Sequence, residues 1–305
     1  MRALLTGGSG FAGRWLAAHL RAAGDEVECC ASDLDVRDAD AVSATLQQAA
    51  PEVVYHLAAL THVGRSFEEP AATFAVNALG TLNLLEAVRK LGRPAKVVLV
   101  SSSEVYGQGA GVPLDEHAEL RPVSPYAASK VAAEFLGVQA AIGRGLDVVR
   151  VRPFNHVGPG QDPNFVVSAI ARRVALAEAA GGGEVPVGNL GARRDFTDVR
   201  DVVRAYRLVA MKGEPGEVYN VCSETTISIA EIAQRLAALA HGEVRLVTDP
   251  ALVRPIDVAV IAGDATRLRR LTNWAPRIEL STTLAEVLEH WRRELRGGRP
   301  ALSAP

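Results

Sequence analysis

The chain has 305 residues, of which 48% are hydrophobic and 22% charged, with a formal net charge of −2 and an isoelectric point near 6.4. This length is sufficient for one large or two modest domains, each with its own core. The balance of 33 basic against 35 acidic residues excludes the clustered basic excess that a nucleic-acid partner requires. We find no apolar run of about 18 residues, the length of a membrane span, and we interpret residues 1–11 as a buried strand and a turn, not a signal peptide.

The three cysteines are Cys29, Cys30 and Cys222. Their number is odd, they lack the spacing of metal ligands, and neighbouring residues of a strand point to opposite faces. We therefore expect reduced cysteines, no metal site and a cytoplasmic protein that binds neither nucleic acid nor membrane.

Short apolar runs rich in β-branched residues alternate with Ala- and Leu-rich segments of helical periodicity. The runs predict strands at residues 3–7, 27–30, 53–58, 96–103 and 148–153. Such alternation is typical of a parallel sheet covered by helices on both faces. The predicted fold class is therefore α/β, a Rossmann-type doubly wound parallel sheet with a smaller C-terminal lobe.

The pattern loosens after about residue 153, although residues 218–221 again resemble a strand. We predict a Rossmann domain of residues 1–152 with about 195–221, a second lobe of about 153–194 and 222–295, and a tail of residues 296–305. Two capped amphipathic helices are predicted for the second lobe, one from Thr225 and one from Leu280. Thr282 or Thr283 would lie near the start of the latter, with Glu286 in reach of a capping box.

A glycine-rich segment, residues 6–13, follows the first strand and precedes a predicted helix. In this context Gly7 would allow a tight turn, Gly10 would let the backbone approach a pyrophosphate, and Gly13 would let the helix pack closely on the strand. The helix N-terminus offers oriented N–H groups and partial positive charge to such an anion. The segment predicts a dinucleotide site.

The residues after the second strand normally distinguish NAD from NADP, because an acid binds two ribose hydroxyls or an arginine binds a 2′-phosphate. Asp33 is a candidate for the acid, whereas Asp35 with Val36 resembles a pair that cradles adenine in related enzymes. Neither interpretation excludes the other. Both NADP and NAD therefore remain candidate cofactors, with NADPH slightly favoured.

Ser102, at the end of a predicted strand, and the pair Tyr126 and Lys130 give the strongest indication of chemistry. The pair is spaced i, i+4, so both side chains share one face of a helix. A nearby cation lowers the pKa of a phenol by about one to three pH units, which would make Tyr126 a usable proton donor. Ser102 would hydrogen-bond a substrate carbonyl while charge develops on its oxygen.

Through these motifs, residues 1 to about 295 resemble the extended short-chain dehydrogenase/reductase family, and its nucleotide-sugar enzymes in particular. Residues 56–59 (HLAA) resemble the segment that lines the cofactor, and residues 76–81 (VNALGT) the one whose Asn77 braces the sheet near nicotinamide. In that family the lysine also holds the nicotinamide ribose. The cofactor contacts predicted from the motifs and the resemblance are Gly7, Ser9, Gly10, Phe11, Ala12, Gly13, Asp35, Val36, Leu57, Ala58, Ala59, Asn77, Tyr126 and Lys130.

Residues 152–161, 187–206 and 218–222 further resemble GDP-4-keto-6-deoxy-D-mannose reductases. The resemblance implies that Asn155 contacts the sugar diphosphate, Asn189 the nucleotide, and Arg194 and Arg254 the phosphates. Arginine suits that role because its planar fork donates two parallel hydrogen bonds. The complete set of predicted substrate contacts is Ser102, Ser103, Glu104, Tyr126, Asn155, Asn189, Arg194 and Arg254.

The reaction implied is reduction of a C4 ketone to GDP-D-rhamnose, with Tyr126 as the proton donor. The talose epimer is nearly as compatible with the sequence. The first alternative is 4,6-dehydration with Glu104 as the base, the second is C4 epimerisation with tightly held NAD, and the third is a cofactor-sensing regulator without turnover. Intact Ser102, Tyr126 and Lys130 argue against the regulator.

The family resemblance also implies a homodimer formed through two helices. The apolar faces of residues 82–91 and 127–142 fit that prediction.

Overall fold

The computed structural model describes residues 1–30, 34–107, 113–252 and 258–297. The strands are β1 (Arg2–Thr6), β2 (Glu26–Cys29), β3 (Val53–His56), β4 (Lys96–Val100), β5 (Val148–Pro153), β6 (Asn155–Val157), β7 (Gly183–Val187), β8 (Arg193–Asp198), β9 (Val218–Val221), β10 (Thr226–Ser228), β11 (Val244–Thr248) and β12 (Val260–Ile261). The α-helices are α1 (Phe11–Ala22), α2 (Ala39–Ala49), α3 (Val63–Glu68), α4 (Pro70–Phe74), α5 (Gly80–Lys90), α6 (Pro125–Arg144), α7 (Val166–Ala179), α8 (Val199–Lys212), α9 (Ile229–Ala238), α10 (Thr266–Thr272) and α11 (Leu280–Leu295). A π-helical turn, Ala75–Leu79, joins α4 to α5, and 3₁₀ turns cover Ser103–Tyr106 and Pro250–Leu252.

Six parallel strands form the main sheet, in the order β2-β1-β3-β4-β5-β9. Except in the edge strand β2, their apolar runs are buried on both faces, by α1 and α8 on one side and by α2, α5 and α6 on the other. The predicted Rossmann-type α/β fold is confirmed, and each predicted strand is present, although β4 ends at Val100 and residues 103–106 form a 3₁₀ turn instead of continuing the strand predicted to residue 103. Because the chain moves outward from β1 in both directions, the topological switch point lies between β1 and β3, where ligands bind in such sheets.

A smaller group of elements follows β5. Strand β8 pairs with β6, β10 and β12, and β7 pairs with β11. Helices α7, α9 and α11 pack there around a separate apolar core that includes Ile170, Val174, Ile232, Leu236 and Leu288. The exact lobe boundaries stay a prediction.

Both predicted helix starts in this region need correction. The first helix begins at Ile229 instead of Thr225, because residues 226–228 form β10, which pairs with β8, and the capping box is made by Ser228 and Glu231. The second helix does begin at Leu280, but no side chain caps it. Thr283 donates to Asp198 at 2.7 Å and Glu286 binds Arg200 at 2.6 Å, so tertiary partners occupy the residues expected to cap the helix.

The continuous helical stretch Pro70–Lys90 is long and apolar enough, by length and composition, to cross a membrane. This corrects the expectation that no such stretch exists. Half of its most apolar window is buried inside the structure, with Leu84, Leu85 and Val88 in the core against α2. A core helix passes the same length and composition test.

Candidate active site

The glycine turn after β1 has the conformation expected of a phosphate cradle. Gly7 has a φ of +71°, and a Cβ there would lie 2.7 Å from the backbone nitrogen of Ala58. Gly10 is the N-cap of α1, and no side chain of the described residues forms a capping hydrogen bond there. A Cβ at Gly13 would lie 2.7 Å from the Cα of Gly8. The turn is therefore closed to side chains, and its helix N-terminus is directed toward a site that fits a diphosphate.

Residues from three strand ends line a pocket beside this turn. Its lining residues are Thr6, Gly7, Ser9, Cys30, Leu34, Val36 and Ala58. Val36 is buried against Gly80, as a residue flanking an adenine would be. Asp35 is exposed and forms an ion pair with Arg37 at 2.6 Å, which lowers the pKa of its carboxyl to about 2. Asp33 lies outside the described residues.

Several other predicted cofactor residues lie at the start of α1 and directly after β3, the elements next to this pocket. Phe11 and Ala12 begin α1, and the Phe11 ring stacks on His156 with ring centroids 6.0 Å apart. Arg14 donates to the carbonyls of Ser9 and Gly160, which joins the turn to the loop after β6. The half-buried residues Leu57, Ala58 and Ala59 directly follow β3.

The π-helical turn brings Asn77 to this loop. The Asn77 side chain accepts from the N–H of Leu60 at 2.8 Å and donates to the carbonyl of Leu60 at 3.0 Å and to the Ser129 hydroxyl at 2.9 Å. Ser129 in turn donates to the carbonyl of Tyr126 at 2.7 Å. Asn77 therefore fixes the loop after β3 relative to α6. A π turn within a helix often occurs at a functional site.

A buried hydrogen-bond chain that the sequence did not reveal lies beneath the cofactor pocket. His56 Nδ1 lies 2.7 Å from the Thr6 hydroxyl, and Nε2 lies 3.0 Å from the Thr81 hydroxyl. Thr81 donates its proton to the Asn77 carbonyl, so it accepts from Nε2–H. Burial lowers the pKa of His56 to about 3, so the ring is neutral at neutral pH. Its place in the HLAA segment was the only signal in the sequence.

This histidine makes stability depend on pH. Its pKa is about 3 in the folded chain against an ordinary 6.5, so between these values the unfolded chain binds more protons. We expect the free energy of unfolding to fall as the pH drops from 6.5, by at most about 1.4 kcal/mol per pH unit from this group. Asp195, whose pKa burial raises to about 6, opposes this trend below pH 6. Urea unfolding of the parent and of His56→Gln at pH 7.5, 6.5 and 5.5 isolates the histidine, and equal pH dependence would contradict the assignment.

Ser102, Tyr126 and Lys130 meet at the carboxyl edge of the main sheet. Ser102 follows β4 and accepts from the N–H of Glu104 at 3.2 Å, and its side chain is also hydrogen-bonded to Tyr126. Tyr126 and Lys130 are both buried on the first turns of α6. The ammonium of Lys130 donates to the carbonyl of Val100 at 2.9 Å, at the end of β4.

The expected lowering of the Tyr126 pKa is not found in the structure. Burial raises that pKa to about 12, because the phenolate loses its hydration; Ser102 acts against this and Glu104 adds to it. Burial also lowers the pKa of Lys130 to about 8. The phenol is thus protonated at neutral pH, the state that a proton donor to an alkoxide requires.

The predicted substrate residues are distributed between the two groups of elements. Ser103 is buried and Glu104 half-buried in the 3₁₀ turn next to Ser102, and Asn155 begins β6. Asn189 is exposed after β7, where its side-chain Oδ1 accepts from the N–H of Gly191. Half-buried Arg194 lies in β8. Arg254 lies outside the described residues.

Three buried carboxylates in the segment 187–206 have structural contacts. Asp195 accepts from Ser223 and from the N–H of Glu224, Asp198 caps α8, and Asp201 accepts from the N–H groups of residues 277 and 278. They hold β8 and α8 to the later chain. This accounts for their residue types without contact to a substrate.

The fold, the glycine turn and the Ser-Tyr-Lys set define an extended short-chain dehydrogenase/reductase, a class of NAD(P)-dependent oxidoreductases. A family model described as GDP-mannose 4,6 dehydratase matches residues 30–287, and the chain belongs to that family.

Individual relatives differ in their reactions. The chain is 39% identical to GDP-6-deoxy-D-mannose reductase of Pseudomonas aeruginosa, over 97% of this chain and 98% of that protein. It is 30% identical to a GDP-mannose 4,6-dehydratase of Sinorhizobium fredii, over 87% of this chain and 81% of that one. Among solved structures, RMD from Pseudomonas aeruginosa complexed with NADPH has a TM-score of 0.88 and 37% identity, covering 96% of this chain and 100% of that one. UDP-glucose 4-epimerase of Thermus thermophilus in complex with NAD has a TM-score of 0.84 and 32% identity, covering 96% of this chain and 99% of that one.

Proposed function

We propose that this protein reduces the C4 ketone of GDP-4-keto-6-deoxy-D-mannose to GDP-D-rhamnose, with a reduced nicotinamide cofactor. The observation that carries the proposal is a buried, protonated Tyr126 hydrogen-bonded to Ser102 next to a cradle for a diphosphate. The identity of 39% to a reductase of this kind, over nearly the whole of both chains, supports the same conclusion.

The bound cofactor would supply hydride to the C4 carbon. Ser102 would hydrogen-bond the ketone oxygen, and Tyr126 would protonate that oxygen as it becomes an alkoxide. Lys130, fixed by the carbonyl of Val100, would hold the nicotinamide ribose and stabilise the phenolate left behind. The turn Gly7–Gly13 and Asn77 would position the cofactor, and Asn155, Asn189, Arg194 and Arg254 the nucleotide sugar.

We propose NADPH as the preferred cofactor. The support is the similarity to a reductase structure complexed with NADPH. In addition, Asp35 is exposed and its charge is balanced by Arg37, so it offers little repulsion to a 2′-phosphate nearby.

A cytoplasmic location is proposed as well, and the free thiols of Cys30 and Cys222 fit it.

Dehydration of GDP-mannose is the second candidate. Glu104 lies close enough to Tyr126 to raise the pKa of its phenol, so a carboxylate is available at the site. A dehydratase would use it to remove the C5 proton.

The deciding assay supplies purified protein with GDP-4-keto-6-deoxymannose and either NADPH or NADH, with the sugar product identified by NMR. The proposal requires oxidation of the cofactor in proportion to GDP-rhamnose formed, with a lower KM for NADPH. A talose product would correct the stereochemistry alone. A parallel reaction supplies GDP-mannose instead of the keto sugar. Conversion of GDP-mannose to the keto sugar by the parent, and loss of that conversion in Glu104→Gln, would establish the dehydratase instead.

A homodimer is also proposed, with one correction to its surface. The apolar residues Leu84, Leu85 and Val88 of residues 82–91 face the core, so that segment does not offer them to a partner. The exposed apolar residues lie on the preceding turns and on α6, where Leu79, Phe135 and Ile142 are 56%, 61% and 79% exposed. A second copy would bury this face.

We expect Phe135→Glu to convert the dimer to a monomer at micromolar concentration, because the interface would have to bury an unpaired carboxylate. Sedimentation velocity measures the change. Met211→Glu, at a residue 52% exposed on α8, is the matched control and should leave the mass unchanged. A monomeric parent would rule out the dimer.

A further inference from the structure

A buried carboxylate, Glu134, lies on the same face of α6 as the catalytic pair. Tyr126, Lys130 and Glu134 follow one another at intervals of four residues, so their side chains form one row along the helix. Glu134 is only 1% exposed. An ionised carboxylate at this depth has to be paired, since burying it alone would cost several kcal/mol.

Its partners come from the two strands that carry the site. Arg152 of β5 donates to the Glu134 carboxylate from Nε at 2.8 Å and from a terminal nitrogen at 2.7 Å. Arg150 reaches the same carboxylate at 3.4 Å. The hydroxyl of Ser101, the residue before Ser102, donates to it at 2.5 Å. One carboxylate thus joins α6, β5 and the end of β4.

The arginine is held from its other side as well. Arg152 donates to the Tyr106 hydroxyl at 2.9 Å, its guanidinium lies 4.9 Å from the centre of the Tyr106 ring, and Tyr106 donates to Asn220 of β9. Arg152 is therefore part of the packed interior, although it begins the segment 152–161 that resembles GDP-4-keto-6-deoxy-D-mannose reductases. It cannot turn toward a ligand without breaking these contacts.

The charges around Lys130 follow from the same arrangement. Among the described residues, neutral His56 of β3 and Glu134 of the same helix act on the charge of this lysine, Tyr126 lies one turn before it on α6, and behind Glu134 are the cations Arg150 and Arg152 of β5. Without the carboxylate, Lys130 would be next to two unbalanced guanidiniums in a medium of low polarity. Its proton would then be held less tightly.

We propose that Glu134 is a positioning residue of the active site: through Ser101 it fixes the strand end that carries Ser102, and its charge keeps Lys130 cationic. Only the turnover measurement below rests on the proposed reductase function. The Lys130 measurement needs neither substrate nor cofactor, so failure of one does not imply failure of the other.

The first test is NMR titration of the lysine ¹³Cε resonances in protein labelled with [¹³C]lysine, where Lys90, Lys96 and Lys212 serve as internal references. We expect the pKa of Lys130 to fall by about one pH unit in Glu134→Gln and to rise by a similar amount in Arg152→Gln. The double variant Glu134→Gln/Arg152→Gln has the same net charge around Lys130 as the parent, so its Lys130 pKa should be close to that of the parent. Arg152→Gln leaves Glu134 paired with Arg150, so it remains informative even if Glu134→Gln does not fold.

The control is Glu178→Gln, which removes a carboxylate paired with Arg292 at 2.6 Å between α7 and α11. It should leave the Lys130 resonance unchanged. A purely structural ion pair would move the Lys130 pKa in neither single variant, or in the same direction in both, and either result would overturn the charge argument.

Turnover tests the positioning of Ser102. Ser101→Ala keeps every charge and removes only the link from Glu134 to the strand end. We expect kcat to fall by about tenfold to a hundredfold with little change in KM and an unchanged Lys130 pKa, because Ser102 would be misplaced by a fraction of an ångström. Parent kcat in Ser101→Ala would overturn this part of the proposal.

Discussion

Tyr126→Phe should retain cofactor binding and lose ketone reduction, with kcat lower by about 10²- to 10⁴-fold, the usual contribution of a positioned general acid. The phenylalanine ring fills the same buried space, so the fold is expected to persist, whereas the group that protonates the alkoxide is gone. Cofactor oxidation in single turnover measures the chemical step directly.

Tyr55→Phe is the matched control for this substitution. Tyr55 is fully buried in β3, and its hydroxyl has no hydrogen-bond partner among the described residues. Removal of that hydroxyl should leave kcat near the parent value. Retention of more than a tenth of the parent kcat in Tyr126→Phe would mean that another group supplies the proton.

Gly7→Ala should abolish measurable NADPH binding. The new methyl group would meet the backbone of Ala58 at 2.7 Å, and the φ of +71° is unfavourable for alanine. The turn would have to move away from the helix N-terminus, and each 1.4 kcal/mol of lost interaction weakens Kd tenfold. Fluorescence titration with NADPH gives the Kd.

Gly92→Ala separates the effect of the positive φ on alanine from the effect of the steric contact with Ala58. Gly92 has nearly the same φ, +69°, but apart from its chain neighbours no atom of the described residues lies within 4 Å of the position its Cβ would take. Gly92→Ala should lose about 1 kcal/mol of folding stability, because alanine is unfavourable at this positive φ. It should keep the parent Kd for NADPH. Equal Kd values for the two alanine variants would show that the cradle at Gly7 does not hold the cofactor.

Local patterns were sufficient for the main sheet and for the proximity of Ser102, Tyr126 and Lys130. Strands such as β3 and β4 are short apolar runs, and their burial on both faces follows from that composition. The i, i+4 spacing of Tyr126 and Lys130 brings them together on any helix, whatever surrounds it.

Local sequence patterns did not predict properties that depend on residues far away in the sequence. The pKa of Tyr126 depends on how deeply the packed chain buries it, and burial outweighs the cation that the sequence placed nearby. The cap expected at Leu280 failed because Asp198 and Arg200, far away in sequence, bind Thr283 and Glu286. In the sequence, Glu134 is one polar residue of a helix among several, and its pairing with Arg152 of β5 is visible only in the folded structure.

The π turn at Ala75–Leu79 has a consequence for deletions in this helix. Such a turn carries one residue more than a regular helix, and its loss would rotate Asn77 by about 100° around the helix axis, away from Leu60 and Ser129. Deletion of Ala75 alone would keep the segment 76–81 and the other motifs intact and would still remove the brace between the loop after β3 and α6. No single substitution could restore this brace after such a deletion, because the brace depends on the length of the helix as well as on the side chain of Asn77.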